Sequence, residues 1–336
     1  MKHTHHKRIT LVTVTYGARL HFCTELLRRA FEHEGVAHAV VVSNNSSSDL
    51  SRLEDDWGAR VTVIRLPTNT GSANGYAVGI DAALSRDTDY LWLMDDDNAP
   101  CPGALDVLCH QLDRLTRGFG RNRAAVLGFR PDHQADIAMG VPVALAMPPR
   151  SSYFGFHVAR IPYKLWRRTP WGRPKPADMP EVLPLPFAPY GGFLGHRDLY
   201  LDLGLPERQL VLYADDIEYT WRLTARGGRI ALVTGARLED LEGSWNVKRN
   251  WKNHFECLLL SRSDFRAYYS SRNQAWFDKH HWSTSSLTYR LNRLVFLALL
   301  RIYGRRHGAA ARLDLLERAI ADGEACRLGL HADYSL

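Results

Sequence analysis

Leu91-Trp92-Leu93-Met94-Asp95-Asp96-Asp97-Asn98 joins four apolar residues directly to three consecutive acids. The apolar run predicts a buried strand, which cannot hold three adjacent carboxylates, so we expect the strand to end there with the acids at its carboxyl edge. Neighbouring carboxylates repel one another unless a hard cation neutralises them. The pattern favours a Mg²⁺ or Mn²⁺ site that faces a pyrophosphate, and a solvated acidic turn is the alternative.

Strand-like and helix-like segments alternate on both sides of this stretch. The predicted strands cover residues 9–16, 37–42, 61–66 and 90–94, and the predicted helices cover residues 19–34 and 72–84. Alternation over about 110 residues predicts an α/β fold with a mostly parallel, doubly wound sheet. Ligands bind such sheets outside the carboxyl ends of the strands. We therefore expect a site built from Tyr16 and from residues 44–49, 67–75 and 95–97.

The second half of the chain has a different character. Residues 165–189 contain seven prolines, which exclude a regular helix or a central strand, and the chain looks mainly helical from residue 247 onward. Residues 287–303 mix leucines with arginines, which suits either a helix on an anionic bilayer or a core helix with basic ends. No run of 18 apolar residues predicts a membrane span.

The composition indicates anionic partners and a reducing compartment. The formal net charge is +7 and the estimated pI is 9.2, which suits nucleotides, a phospholipid surface or nucleic acid. The five scattered cysteines lack a Cys-x-x-Cys pair, so free thiols are expected. The basic N-terminus lacks the pattern of a signal peptide. We expect a cytoplasmic protein that is peripheral on the inner face of the cytoplasmic membrane.

A second group of acids opens a later helical segment. Asp215, Asp216 and Glu218 occupy the first turn, where the helix dipole favours negative charge. Capping alone requires one such residue, so three acids also favour a catalytic role. Both interpretations remain open from the sequence.

The order of these motifs resembles the GT-A glycosyltransferases of family 2, and within them the bacterial galactofuranosyltransferases and rhamnosyltransferases. The resemblance rests on the Asp-x-Asp motif, the late acidic pair before Arg222, the glycine-rich residues 69–75 and Gly191-Gly192-Phe193. It implies a GT-A domain over residues 1–245, which includes the loop 165–189, and a helical region over residues 246–336.

The resemblance implies a divalent cation, Mn²⁺ or Mg²⁺. Asp97 is the expected direct ligand, and Asp95 or Asp96 the expected contact to the ribose. Because alternate residues of an extended segment point the same way, Asp95 and Asp97 are expected to reach one cation while Asp96 faces elsewhere. The family usually places a metal-binding histidine where this chain has Asp240, which is also an oxygen ligand for a hard cation.

The remaining roles also follow from the resemblance. Asp216 corresponds to the general base, with Asp215 beside it and Glu218 in support. The expected donor-binding residues are Thr15, Tyr16, Asn44, Asp49, Asn69, Gly71, Gly75, Asp95, Asp96 and Arg272. The expected acceptor-binding residues are Gly191, Gly192, Phe193, Trp221 and Trp245.

The expected reaction is inverting transfer of galactofuranose or rhamnose from a UDP- or dTDP-linked donor. The acceptor would be a hydroxyl of a glycan or a lipid-linked glycan in bacterial surface polysaccharide synthesis. Three other interpretations are a nucleotidyltransferase, an inactive GT-A partner subunit and a nucleic-acid-binding protein. The sequence shows no basic stripe interleaved with aromatic residues, so no nucleic-acid partner is expected.

Overall fold

The computed structural model describes residues 7–173, 179–242, 251 and 253–335. Its strands are β1 (Ile9–Gly17), β2 (His38–Ser46), β3 (Val61–Leu66), β4 (Tyr90–Asp95), β5 (Asn98–Pro100), β6 (Ala124–Phe129), β7 (Val182–Leu185), β8 (Phe193–His196) and β9 (Arg229–Asp240). Its helices are α1 (Leu20–Glu32), α2 (Ser51–Trp57), α3 (Gly71–Leu84), α4 (Ala104–Phe119), α5 (Ala135–Ala138), α6 (Val143–Ala146), α7 (Ile161–Trp166), α8 (Arg197–Leu203), α9 (Asp215–Ala225), α10 (His254–Leu260), α11 (Asp264–Phe277), α12 (Ser286–Arg306) and α13 (Ala310–Glu324).

The chain forms two compact units, and each unit takes residues from several segments. Unit 1 contains Met1–Gln134, Pro180–Arg208 and Asp215–Val247, and unit 2 contains Ala135–Met179, Gln209–Ala214 and Lys248–Leu336. The sequence predicted one boundary at residue 245. In the structure, residues 135–173 and 209–214 group with the C-terminal helices, and such long-range packing leaves no mark in the order of segments along the chain.

A single mixed sheet organises unit 1. Its strand order is β3-β2-β1-β4-β8-β6-β9, with β5 paired to the far end of β9 and β7 paired to β9 as an edge strand. The first four strands of this order run parallel, whereas β8 runs antiparallel to both of its neighbours. The predicted α/β class is confirmed, and the parallel part of the sheet is the part that the sequence predicted.

The buried strands and the helices that cover them follow the apolar pattern of the sequence. β4 is buried along Leu91–Met94, and the core beside it includes apolar residues of β1, β2, α1 and α4. Helix α3 packs closely on β1 and β2 because Gly75 and Gly79 have no side chain. A Cβ at Gly75 would lie 2.6 Å from Val14 Cγ1, and a Cβ at Gly79 would lie 2.6 Å from Val12 Cγ1. These contacts hold the polar carboxyl ends of the parallel strands in place.

The structure describes residues 165–173 and 179–189 of the proline-rich stretch. Helix α7 ends at Trp166, and β7 pairs with β9 through residues that include Pro184. Because β7 is an edge strand, the missing N–H of a proline costs no hydrogen bond within the sheet. In the described residues 165–173 and 179–189, this arrangement agrees with the expectation of neither a regular helix nor a central strand.

Unit 2 is helical and has its own aromatic core, which surrounds Phe296 of α12. The inner face of α12 is buried there, whereas Leu287, Leu291 and Leu294 on the same helix are exposed. The core-helix interpretation of residues 287–303 therefore holds for one face of α12. Within the described ranges, no helix is long and apolar enough to cross a membrane.

Candidate active site

The acidic stretch lies at the carboxyl end of β4, as the apolar run predicted. Strand β4 ends at Asp95, and Asp96 and Asp97 form a turn that leads into β5. The expected alternation of side chains is therefore wrong, because the segment is not extended beyond Asp95. Asp96 and Asp97 instead share one cationic partner, Arg19, while Asp95 bonds to another, Arg130.

Arg19 follows β1 and neutralises two of the three acids. Its Nε and Nη2 donate to the carboxylate of Asp96 at 2.9–3.1 Å, and Nη2 also donates to Asp97 Oδ2 at 2.8 Å. Thr15 Oγ1 donates to Asp96 Oδ2 at 2.6 Å. Asp96 is buried, so burial raises its pKa while Arg19 and Thr15 oppose the rise. The ribose contact predicted for Asp96 would have to compete with this network.

Asp95 lies in a second cluster around the buried cation Arg130. Arg130 Nη1 donates to Asp95 Oδ2 at 3.1 Å and to Asn98 Oδ1 at 2.6 Å, and Tyr76 Oη donates to Asp95 Oδ1 at 3.1 Å. A Cβ at Gly191 would overlap the Asp95 carboxylate and lie 2.5 Å from Asn98 Oδ1. The glycine predicted on the acceptor side is therefore required by the acidic turn itself.

The far end of β9 brings Asp240 beside the acidic turn. Asn98 pairs with Asp240 in the sheet register, and the Leu241 N–H donates to the Asp97 carbonyl at 2.7 Å. His133 Nε2 lies 3.0 Å from Asp240 Oδ2. Burial, together with the charges of Asp95 and Asp96, raises the pKa of Asp97 to about 7. Negative charge at this turn is therefore incompletely balanced by the cations of the protein.

The residues at this turn suit a hard divalent cation that also binds a ligand. Among the residues that the structure describes, no three His, Cys, Asp or Glu side chains form a group that could hold a metal ion. Mg²⁺ and similar ions commonly use one or two protein carboxylates and complete their coordination with phosphate oxygens and water. The raised pKa of Asp97 and the nearby Asp240 oxygens fit that donor set.

The late acidic pair begins α9, as the sequence predicted. Asp215 is buried and accepts hydrogen bonds from Ser72 Oγ at 3.0 and 3.1 Å, and burial beside Asp216 raises its pKa well above the usual range. Asp216 is partly exposed, and Oδ1 accepts from the Ile217 N–H at 2.8 Å. Burial and the charge of Asp95 raise its pKa to about 6, while Arg130 opposes the rise. A carboxylate with such a pKa is ionised at neutral pH and can accept a proton.

The other residues predicted for catalysis and acceptor binding have structural contacts. Glu218 is buried and forms a bidentate ion pair with Arg222 at 2.6 and 2.7 Å. Phe193 is fully buried in β8, so the acceptor contact predicted for it has no support in this structure. Gly192 has φ +97° and donates to the Leu93 carbonyl, and Trp221 is half-buried on α9. Trp245 lies outside the described residues.

On the predicted donor side, Asn44 braces the glycine-rich turn. Its Nδ2 donates to Asn69 Oδ1 and to the Gly71 carbonyl, and its Oδ1 accepts from the N–H and the hydroxyl of Thr70. These four bonds use the full capacity of the amide, so none remains for a base edge in this structure. Gly71 has φ +83°, which a residue with a side chain rarely adopts.

The other residues on this side are spread along the sheet edge. Thr15 bonds to Asp96, and Tyr16 is exposed with the Arg19 guanidinium 5.2 Å from its ring centroid. Asp49 is exposed and accepts hydrogen bonds from the N–H and hydroxyl of Ser51, the first residue of α2. Gly75 packs against β1, so its observed contacts are with the sheet.

Arg272 lies in unit 2 and is 1% exposed. Its guanidinium donates to the carbonyls of Gln209, Leu210 and Gly329, and Asn273 Nδ2 donates to the carbonyls of residues 210, 212 and 213. These bonds hold a segment in which Val211, a β-branched residue, has φ +67°. The phosphate contact predicted for Arg272 has no support in these contacts.

Three residues of the site escaped the sequence analysis, namely Arg19, Arg130 and His133, and Ser72 lies within the predicted residues 67–75 but had no role assigned to it. Arg19 follows the first predicted strand by a few residues. A cation at the carboxyl edge of the sheet could have been predicted to pair with the acids expected at the same edge. Arg130 and His133 follow β6, a strand that the sequence analysis did not identify. Locating that strand would have placed both residues at the same sheet edge.

Residues 10–137 match the family described as Glycosyl transferase family 2. The chain is also similar to galactofuranosyltransferase GlfT1 of Mycolicibacterium smegmatis, with 24% identity over 226 residues. The similar region makes up 67% of this chain and 68% of GlfT1.

Two solved structures are also similar at low identity. The crystal structure of GalNAc-T7 with UDP, GalNAc and Mn²⁺ has a TM-score of 0.48 and 14% identity, over 79% of this chain and 51% of that chain. The structure of TarS 1–349 of S. aureus in complex with UDP has a TM-score of 0.47 and 13% identity, over 83% of this chain and 68% of that chain. The chain thus matches about half the length of the GalNAc-T7 chain.

Proposed function

The chain carries a glycosyl transferase family 2 domain over residues 10–137, and from this premise we propose that it is a metal-dependent, inverting glycosyltransferase. One observation carries the proposal. Arg130 bonds to Asp95 of the acidic turn and also lowers the pKa of Asp216 in the late acidic pair. Two acidic groups from distant parts of the sequence therefore share one cationic neighbour.

The proposed donor is a nucleotide-diphosphate sugar, with UDP-galactofuranose as the first choice and dTDP-rhamnose as the second. The similarity to galactofuranosyltransferase GlfT1 supports the first choice. The proposed acceptor is a hydroxyl of a glycan or a lipid-linked glycan. The exposed outer face of α12, with Leu287, Leu291 and Leu294, is a candidate for peripheral contact with a membrane.

Asp216 is the proposed general base. Its partial exposure allows a sugar hydroxyl to reach it, and its pKa of about 6 keeps it ionised at neutral pH. As the acceptor oxygen bonds to the anomeric carbon, Asp216 takes the hydroxyl proton and the bond from that carbon to the nucleotide diphosphate breaks. Attack opposite the leaving group inverts the anomeric centre.

Asp97 is the proposed metal ligand, with Asp240 or Asp95 as a second. A divalent cation bound there supplies charge stabilisation to a diphosphate. Arg130 holds Asp95 and Asn98 in position, and Ser72 orients Asp215 beside the base. Arg19 bonds to the buried Asp96 next to the metal ligand and opposes the rise in the pKa of Asp96 that burial causes. These residues bind and orient the donor and keep the base in its ionised form.

The test measures Mn²⁺-dependent hydrolysis of UDP- and dTDP-sugars, together with transfer to glycan acceptors. Asp97→Ala should lose metal-dependent donor binding. Asp216→Ala should keep donor binding but lose transfer by a factor of about 10² to 10⁴, the usual contribution of a general base. Asp81→Asn is the matched control, because Asp81 is exposed on α3.

The result that would overturn the base assignment is transfer at the wild-type rate by Asp216→Ala. Equal donor binding by wild-type protein with Mn²⁺ and with a chelator would overturn the metal assignment. A protein that binds none of the donors would contradict the proposed reaction itself.

A further inference from the structure

A surface of unit 2, separate from the proposed site, combines exposed apolar side chains with clustered cations. The α7 surface consists of Ile161, Lys164, Leu165, Trp166, Arg168 and Trp171. Leu165 is 56% exposed, Trp166 is 51% exposed and Trp171 is 83% exposed. Large apolar side chains that cluster on a surface mark an interaction site more often than single ones do.

The backbone that presents these side chains is ordered by its own hydrogen bonds. Thr169 Oγ1 donates to the Trp166 carbonyl at 2.7 Å, and the Gly172 N–H donates to the carbonyl and hydroxyl of Thr169 at 3.2 and 3.3 Å. Gly172 is packed so closely on the end of α7 that a Cβ there would overlap the Trp166 carbonyl. Trp166 and Trp171 are therefore displayed from one turn that is fixed in place.

Cations border the apolar side chains around a cavity of about 430 Å³. Four of the lining side chains are cationic and one is acidic: Arg160, Lys164, Arg167, Arg168 and Asp136. The acid is already engaged, since Asp136 Oδ1 accepts from Arg167 Nη2 at 3.0 Å. The pKa of Lys164 is lowered by burial and by its neighbours Arg160 and Arg168. Because four cationic side chains line the cavity against one acid, the cavity has an excess of positive charge that suits an anion.

We propose that the α7 surface docks on an anionic phospholipid bilayer, with lipid phosphates at the cationic cavity and Trp166 and Trp171 in the interfacial layer. Tryptophan rings favour the boundary between headgroups and acyl chains, because they have an apolar body and a polar N–H. Adjacent Lys and Arg residues are attracted to anionic lipids. The inference concerns unit 2 alone and does not rest on the proposed sugar transfer.

The experiment is co-sedimentation of the full chain with vesicles at low salt. One set of vesicles contains phosphatidylcholine alone, and the other mixes phosphatidylcholine with phosphatidylglycerol. Lys164→Gln combined with Arg168→Gln should weaken binding to the anionic vesicles about 25-fold, at about fivefold for each cation removed. The matched control combines Arg52→Gln with Arg86→Gln, two exposed arginines of unit 1, and should bind like wild type.

Two further variants locate the contact. Trp171→Ala should remove part of the fluorescence quenching that brominated lipids cause, and should leave the circular dichroism spectrum unchanged. Leu287→Ser combined with Leu294→Ser tests the outer face of α12 in the same assay, and should weaken binding less than the Lys164/Arg168 double variant does.

Several results would overturn the proposal. The first is equal sedimentation of the protein with the two kinds of vesicle. The second is wild-type binding by the Lys164/Arg168 double variant, and the third is loss of binding in the α12 variant alone. Release of the protein by inorganic pyrophosphate would identify the cavity as a site for soluble anions instead of a bilayer.

Discussion

At the scale of single residues, Asp216 is set apart from its neighbour Asp215 by its surroundings. Asp215 is buried and held by Ser72, whereas Asp216 is partly exposed and bonds to a backbone N–H. Two adjacent carboxylates with different environments acquire different pKa values, which is how acid and base roles separate. The geometry therefore supports Asp216 as the base and Asp215 as its buried support.

The pH dependence of transfer should report the ionisation of Asp216. The active form is the carboxylate, so at Mn²⁺ concentrations that hold Asp97 as a metal-bound carboxylate the rate should fall as pH drops below a pKa of about 6. Arg130 lowers that pKa, so Arg130→Gln should move the midpoint to higher pH. The measurement is kcat/KM against pH for both proteins. A profile that is flat from pH 5 to pH 8, about the range in which such a base titrates, would contradict the assignment.

Arg19 compensates a buried charge next to the proposed metal ligand. Its side chain and that of Asp96 are both largely buried, and they meet through three short N–H···O contacts. Removing one partner of such a pair leaves the other charge buried without compensation. The acidic turn therefore depends on Arg19 for stability as well as for charge balance.

Arg19→Ala should lower the free energy of unfolding by about 3–5 kcal/mol, the usual cost of breaking a buried ion pair. Adding Asp96→Asn to this variant should recover part of the loss, since the uncompensated charge is then gone. Urea denaturation of the two single variants and the double variant measures the coupling. Strictly additive effects of the two substitutions would show that the pair is not coupled.

At the scale of elements, the active site depends on how closely three segments approach one another. Gly191 precedes β8 and lies against the end of β4, the start of β5 and the side chain of Arg130. A side chain at this position would have to displace Asp95, Asn98 and Arg130 together. Packing on the acidic turn therefore explains the glycine at position 191, and the acceptor role that the resemblance implied stays a prediction.

Gly191→Ala should abolish donor binding and transfer while the protein remains folded, because the added Cβ overlaps the Asp95 carboxylate. Gly235→Ala in β9 is the matched control, because its Cβ would make an ordinary contact of 3.6 Å with Val107 Cγ1. Binding of UDP and circular dichroism should be measured for both. Normal donor binding by Gly191→Ala would mean that the acidic turn tolerates displacement.

At the scale of the whole molecule, the net charge of +7 suits both proposed anionic ligands. The acidic turn of unit 1 is a local exception, where Arg19 before α1 and Arg130 after β6 only partly balance the carboxylates. A ligand that brings a metal ion to this turn adds positive charge where the protein lacks it. Binding should therefore stabilise the folded chain in proportion to its affinity.

UDP with Mn²⁺ should raise the Tm of the wild-type protein, since a ligand at 100 times its Kd adds about 2.7 kcal/mol to stability. Asp97→Ala should lose the part of the shift that depends on Mn²⁺, and Asp81→Asn should keep it. The measurement is a thermal shift assay with and without a chelator. An equal shift for wild type and Asp97→Ala would exclude Asp97 as the metal ligand.

The sequence by itself determined the parallel α/β half of the sheet, the acidic turn after β4 and the acidic opening of α9. These features are local, because apolar runs and helical spacing record whether a segment is buried and where it must end. The family resemblance supplied candidate roles for many residues. It could not tell residues that remain accessible from those that the fold buries, such as Phe193 and Arg272.

Only the tertiary structure decided which charges meet. Arg19 reaches Asp96 and Asp97, Arg130 joins Asp95, and His133 meets Asp240 across 107 positions of the chain. The turn at Asp96 likewise depends on the pairing of β5 with β9, which no local pattern records. Long-range contacts of this kind arise from the packing of whole elements, so their physical cause is absent from any short stretch of sequence.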